Sequence, residues 1–365
     1  MINDSPSDIP SQKIFGSKNT TDQTVAKPAW YQTTAKYGRS TLGKSLWQIV
    51  DTLLPYFALW AAMIYTVKQG YPYWVTLVLA TLAGSVLVRV FILFHDCCHG
   101  SFFASRRANT LIGYVTGVMT FTAFDDWRHA HNRHHATAGD LDRRGVGDIW
   151  TMTIEEYLSA PLAKRFAYRF YRHPFVLLVL GAALLFLVFQ RFPTKGAGWR
   201  EARSVVYTNL ALLFVLGAAT WTIGLRTYLL IQAPIILIAG SLGLWLFYIQ
   251  HQFEEVYWVR QESWNPLRVA LEGSSYFKLP KILQWLTGNI GFHHIHHVRP
   301  SIPNYNLQQC HDEVPVFQKV KAVTLKTSFR SLQLGLCDEK RNKLVSFRSL
   351  GGNSRGKISL RVARY

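Results

Sequence analysis

Four apolar stretches constrain this chain more than anything else in it: Leu46–Val67, Tyr73–Phe94, Val205–Gly224 and Thr227–Gln250. Each is long enough for a helix to cross a hydrocarbon core, which takes about 20 residues. Their only charges are Asp51 and Arg89, both toward one end, where long side chains can snorkel. The other two carry none, and a buried core helix in a soluble domain rarely runs so far without one. A chain of 365 residues could fold as one or two soluble domains, but 49% hydrophobic residues gathered into such blocks argue against it. The expectation is an all-α integral membrane protein with about four transmembrane helices, paired as two hairpins. The turn Lys68-Gln-Gly-Tyr-Pro72 closes the first hairpin, and Leu225-Arg226 closes the second.

Histidines flank these stretches. Of thirteen in the chain, eight recur at helical spacing in three short clusters: His95-Asp-Cys-Cys-His99, His131-Asn-Arg-His134-His135 and His293-His-Ile-His296-His297, the last of which holds His294 as well. Offsets of i, i+3 and i+4 put side chains on one face of a helix, a turn apart. A lone histidine is ordinarily a structural hydrogen-bonder, so His129, His173 and His311 stay in that class. Three clusters beside apolar spans instead suggest one site assembled from distant parts of the chain. Imidazole suits iron, zinc and copper alike, and eight exceed what one four-coordinate zinc can use. The count points to two metals. His251, in Gln250-His-Gln-Phe-Glu-Glu255 at the end of the last span, is expected as a ninth ligand. Asp96, Asp125, Asp126, Asp148, Glu254 and Glu255 are candidate acceptors for ring N–H groups that the metals leave free.

Gathering all the clusters on one side fixes the expected topology. Asn109–Phe124 is apolar but short, and Pro174–Gln190 is 17 uncharged residues at the lower limit for a span. Both are expected to lie in or dip into one leaflet without crossing. Basic residues before the first span (Lys36, Arg39, Lys44) and after Gln190 (Arg191, Lys195, Arg200, Arg203) place the clusters in the cytoplasm, which in a bacterium means the inner membrane. The formal charge of +19 fits the same rule and attraction to anionic lipid, and it suits an acidic electron-carrying partner. Nucleic acid is not expected, since no basic helix stands apart from the membrane segments. The expected organisation is a disordered tail over 1–30, a membrane domain over 31–350 and a C-terminal tail over 351–365. Within that domain the spans run about 46–67, 73–94, 205–224 and 227–250. A cytosolic cap covers 95–203 and 251–350. The four cysteines show no disulfide-like spacing and are expected reduced, and Met1–Lys27 lacks the apolar core of a signal peptide.

The three clusters in this order, His131–His135 with the loop Gly139-Asp-Leu-Asp-Arg-Arg-Gly-Val-Gly-Asp-Ile-Trp150, and Gly291–His297 with Ile302-Pro-Asn-Tyr305, resemble the membrane fatty acid desaturases. Similarity is greatest to the bacterial acyl-lipid branch of Δ12 (ω-6) and related types, over roughly residues 40–350. The resemblance implies a di-iron centre held by His95, His99, His131, His134, His135, His293, His296 and His297, with His251 as the extra histidine relatives carry before the third cluster. It also implies O2, two electrons from a ferredoxin-type or cytochrome b5-type carrier, and a cis double bond placed in an acyl chain. Cys98 stands where the family usually has glycine, and His129 and His294 are extra to its pattern. An oxidant kept from water suggests a tunnel opening from the bilayer, for which Phe121, Phe124, Trp127 and Trp150 are candidate lining. The competing readings are a di-iron hydroxylase or ketolase of a lipid on the same scaffold, and a histidine-rich metal transporter. The transporter should carry ligands in mid-span, and the four stretches hold no histidine there.

Overall fold

The computed structural model describes residues 27–145 and 147–352. Its helices in chain order include α1 (Leu42–Lys68) and α2 (Tyr73–His99), then the shorter α3 (Arg106–Met119), α4 (Phe124–Thr137) and α5 (Leu162–Tyr171). Two more long helices follow, α6 (Trp199–Thr222) and α7 (Leu225–His251), and then the short α8 (His293–Val298) and α9 (Asn304–Glu313). Four of these, α1, α2, α6 and α7, are long and apolar enough to cross a membrane. The count becomes five if α5 and the segment after it form one bent span.

Each of the four outruns its apolar core, because a helix does not stop where hydrocarbon does. α2 continues through the first histidine cluster to His99 and is closed by Gly100, whose φ of +68° is a left-handed cap that costs glycine little. α6 begins at Trp199, ahead of the apolar stretch, so Arg200, Glu201 and Arg203 already belong to the helix. Glu201 accepts the Gly198 N–H there at 2.9 Å. The second hairpin turns at Gly224, with φ +88°, rather than at Leu225-Arg226, which already belong to α7.

Helices α2 and α7 form the centre of the bundle. Gly84 lets them approach until a Cβ there would lie 2.9 Å from the Ile238 side chain, the small-residue contact that membrane helices use where apolar lipid supplies no driving force. Around it Leu87, Val90, Ile231, Ile235 and Ile249 are buried. By contrast α6 turns Leu210, Leu213, Phe214 and Trp221 outward, as a helix at the lipid boundary must. Arg89 does not snorkel. It is buried, pairs with Asp51 at 3.1 Å and donates to Thr52 and to the Trp285 carbonyl. An ion pair between adjacent helices satisfies both charges without reaching bulk water.

One end of the bundle gathers everything polar. Near the start of α1, Ser45 donates to the Phe102 carbonyl just beyond α2, and Gln48 donates to Asn304 of α9. Near the start of α6, Ser204 accepts the Asp125 N–H of α4. α2 and α7 both terminate there, at His99 and His251. The opposite end is closed by the two tight turns, with Tyr73 donating to the Leu230 carbonyl.

Between α4 and α6 the chain runs as α5, then a π-helical turn Val176–Leu180, a helix Gly181–Leu187 and a 3-10 turn Phe189–Arg191, bent by 72° from α5. Pro174 explains the break, since it removes a helical N–H donor. α5 itself exposes Leu162, Phe166 and Phe170 at i, i+4 and i+8, an apolar stripe on an otherwise basic helix.

A cap over the polar end contains two small sheets. Strand β1 (Met152–Thr153) pairs in parallel with β4 (Leu334–Asp338), which pairs antiparallel with β5 (Lys343–Ser346). Strands β2 (Tyr276–Phe277) and β3 (Ala322–Val323) form a second, parallel pair. The expected disordered tail over 1–30 falls mostly outside the described residues, as does 353–365 of the C-terminal tail. Its last residues are ordered, however: Ala29–Thr33 is helical, and Trp30 meets Phe317 edge-on at 5.7 Å.

Candidate metal centre

Nine histidines converge at the polar end, and they are the nine that the sequence singles out. They fall into two groups, each with its ligand atoms within 4.8 Å of one another. His95, His99, His131, His135 and His296 form one, and His134, His251, His293 and His297 form the other. Helix geometry explains how each cluster divides. At about 100° per residue, i and i+4 lie about 40° apart on the helix, whereas i+3 lies about 60° to the other side. So His131 and His135 of α4 stay together, with Nε2 atoms 3.1 Å apart, while His134 turns to the second group. Likewise His293 and His297 of α8 stay together while His296 joins the first, its Nε2 3.1 Å from that of His95 and 3.0 Å from that of His135. Each group therefore takes residues from α4 and α8, completed by the end of α2 in one case and the end of α7 in the other.

Hydrogen bonds behind the rings fix their orientation. His95 Nδ1 lies 3.1 Å from Asp96 Oδ1, whose other oxygen accepts from the Asn304 backbone N–H at 2.6 Å and its side-chain amide at 2.8 Å. His134 Nδ1 lies 2.8 Å from Asp148 Oδ1, and His251 Nδ1 lies 3.1 Å from the Gly273 carbonyl. The last two acceptors require the His134 and His251 protons at Nδ1. Their Nε2 lone pairs then face each other at 3.0 Å, an arrangement that repels unless a cation lies between them. The Nε2 atoms of His99 and His297 are also buried without a hydrogen-bond partner among the described residues. Burial, reinforced by neighbouring imidazoles, holds His131, His135, His293, His296 and His297 well below the usual histidine range. Neutral, converging imidazoles are what a metal requires, and the donor set fits two ions.

The other expected acceptors sit elsewhere. Asp126 accepts from Thr194 through both its N–H and its hydroxyl, anchoring the segment before α6. Asp125 binds Tyr114 and Arg128. Glu254 and Glu255 lie past the end of α7, beside Lys343 and Lys321 at the surface. Thus Asp126 and Glu254, expected behind imidazoles, face away from them. In the first turn of α4, Asp126 lies more than a turn before His131, and Glu254 follows a helix that has already ended.

Two partners lay beyond sequence reasoning. Nothing marks the Gly273 carbonyl, since a backbone acceptor has no residue signature. Asn304 belongs to a noticed motif, but its role depends on the start of α9 meeting Gln48 of α1 and Asp96 of α2. Of the aromatic candidates, Trp127 stacks on His131 with ring centres 4.2 Å apart and meets Phe91 edge-on at 5.4 Å. Phe247 lies 5.3 Å from His134. Phe124 is core packing against Phe94 and Tyr114, and Trp150 packs on Tyr168 and Tyr171. Phe121 takes a positive φ of +59° at the turn between α3 and α4.

A family profile described as fatty acid desaturase matches residues 71–324, a segment that contains all nine histidines. The chain belongs to the fatty acid desaturase family. Consistent with that, it is 44% identical over 332 residues to a fatty acid desaturase of Bacillus subtilis, covering 90% of this chain and 94% of that one. It is 24% identical over 244 residues to an sn-1 oleoyl-lipid 12-desaturase of Synechocystis, covering 62% and 65% of the two chains. An sn-1 acyl-lipid omega-3 desaturase (ferredoxin) of Nostoc is 29% identical over 241 residues, covering 62% and 63%. This desaturase is accordingly an oxidoreductase of lipid metabolism, and its histidines form two groups with the geometry to hold metal ions.

Proposed function

We propose that this desaturase is an O2-dependent di-iron enzyme that introduces a cis double bond into the acyl chain of a membrane lipid at the cytoplasmic surface. One iron would be held by His95, His99, His131, His135 and His296, and the other by His134, His251, His293 and His297. The observation that carries the reading is the pair of Nε2 lone pairs on His134 and His251, 3.0 Å apart with both protons committed elsewhere. When bound, the metal pair supplies the O2-derived oxidizing power for C–H bonds that no side chain can attack.

The residues of the chain do the rest. Asp96 and Asp148 orient His95 and His134 and increase their donor strength. Trp127, Phe91 and Phe247 give the membrane-facing side of the site an apolar lining that accepts methylenes and excludes water. Gly147 and Asp148 lie against His134, and a Cβ at Gly147 would lie 3.1 Å from the His134 Cβ.

The segment 174–190 enters and leaves on the cytoplasmic side without crossing. In support, the start of α6 is bonded to α4 beside the histidines, so an even number of crossings separates α2 from α6. The basic charge at this end supports the cytoplasmic assignment. Regiospecificity of the Δ12 (ω-6) type is supported by the name of the Synechocystis relative, and a ferredoxin-type donor by that of the Nostoc relative; a cytochrome b5-type carrier is the alternative donor. The test is the fatty acid profile of a host lacking polyunsaturates, read by gas chromatography–mass spectrometry of derivatives that locate double bonds. A new diene at one position is expected. It should vanish in His134→Ala and His296→Ala while the protein still reaches the membrane. Hydroxylated or keto products would refute desaturation, and full product in either variant would refute the metal assignment.

A further inference from the structure

At the edge of the polar end, between α1 and the short helix Lys281–Leu286, lies a cavity of 340 Å³. That is within the roughly 300–1,000 Å³ usual for ligand pockets. Its rim carries Lys44 and Lys281, both exposed. Lys44 is held by a neutral partner, the Asn306 side-chain oxygen at 3.0 Å, and Lys281 forms no ion pair among the described residues. The carboxylate in the cavity, Asp51, is already engaged by Arg89 and by the Trp285 indole N–H. The cavity therefore presents two uncompensated cations.

Its position identifies the ligand. The cavity opens where α1 passes from lipid-facing residues (Leu46, Val50 and Leu54 are all exposed) into the polar end of the bundle. Trp47, 69% exposed, and Trp285, 36% exposed, flank the opening, as indoles do at the headgroup level of a bilayer. Its wall is also wired to the candidate metal centre. Gln48 donates to Asn304 at 2.6 Å, Asn304 donates to Asp96 at 2.8 Å, and Asp96 holds His95. A free soluble anion would need no site at this depth. A lipid whose phosphate reached this rim would have its acyl chains along the exposed apolar face of α1.

We propose that this cavity is a subsite for the phosphate of an anionic phospholipid, namely the lipid whose acyl chain is desaturated. This rests on the reading that the enzyme acts on membrane lipids. Lys44 and Lys281 bind the phosphate, and the two indoles bracket the glycerol. Holding the headgroup at a fixed place beside α9 sets how far along the chain the centre reaches.

The experiment is binding without turnover. Full-length protein in neutral detergent is titrated with dihexanoyl-phosphatidylglycerol, with neutral dihexanoylglycerol and with inorganic phosphate, followed by tryptophan fluorescence. The phospholipid should bind saturably, the neutral lipid not at all, and phosphate at least tenfold more weakly. Lys44→Gln with Lys281→Gln should raise the phospholipid Kd about twenty-fivefold, at roughly fivefold per lysine near an anionic headgroup. Lys319→Gln with Lys326→Gln, exposed lysines elsewhere on the cap, should leave it unchanged. Both changes are at exposed positions, and matching thermal unfolding profiles check that the folds agree. An unaltered Kd in the first variant overturns the subsite. Phosphate binding as tightly as the phospholipid overturns the lipid assignment, and so does neutral lipid binding equally well. A protein that binds through these lysines yet makes no unsaturated product refutes the proposed reaction and leaves the subsite standing.

Discussion

Replacing Asp148 tests whether the residues behind the imidazoles tune the metal centre. Its carboxylate accepts from His134 Nδ1 at 2.8 Å, with both side chains nearly buried. A charge-assisted bond of this kind contributes about 1.5–3 kcal/mol, against about 0.5–1.5 kcal/mol for a neutral one. Asp148→Asn keeps an oxygen acceptor but loses the charge, a deficit of about 1–1.5 kcal/mol, or roughly tenfold in metal affinity. Asp148→Ala also leaves a buried Nδ1–H unsatisfied, which adds about 1–3 kcal/mol and brings the loss to about a hundredfold or more. The ring is then free to swap tautomer, so that Nε2 carries the proton and ceases to be a ligand. The assay is iron content by mass spectrometry on purified protein during timed exposure to a chelator, with circular dichroism to confirm an intact helical fold. Metal retention should fall in the order wild type, Asn, Ala. Equal retention in all three would refute the orienting role, and Asn losing more than Ala would refute the charge argument.

Three further outcomes follow from the geometry. His294 lies beside two candidate ligands but packs among Tyr276, His311 and Phe317, so His294→Leu should keep the full iron complement whatever it does to stability. A loss of half the iron would show that the nine-residue assignment is incomplete. Hydrogen bonds from Lys36 and Tyr37 hold Glu313 down to about 2, below the usual value of 4.5. The contribution is present above pH 4.5 and is lost as pH falls toward 2, because the unfolded carboxylate takes its proton first. Hydrogen exchange should show residues 29–38 loosening over that window in the wild type, and Glu313→Gln should remove the pH dependence. Finally, Gly139→Ala places a Cβ 2.9 Å from the Tyr257 carbonyl at a φ of +72°. It should cost about 2–3 kcal/mol, since the left-handed conformation alone costs an L-residue about 1–2 kcal/mol, and thermal unfolding measures it. An unchanged midpoint would mean that the loop moves without cost.

The sequence by itself determined the elements and the donor atoms. Long uncharged stretches allow little but membrane-length helices, and histidines at i and i+4 on a helix lie close together wherever that helix goes. Even the division inside each cluster was implicit in the helical period, which separates His134 from His131 and His135, and His296 from His293 and His297. Only tertiary structure decided which clusters share a group, because that depends on how α4 and α8 lie against the ends of α2 and α7. The same holds for the supporting contacts. Asp96 and Asp148 reach imidazoles while Asp126 and Glu254 do not, although Asp126 lies five residues from His131 and Glu254 three from His251, whereas Asp148 is fourteen from His134. Local periodicity fixes where a side chain points on its own helix. What it meets is set by contacts between residues a hundred or more positions apart, such as His134 with His251 and Gln48 with Asn304, and no short pattern encodes those.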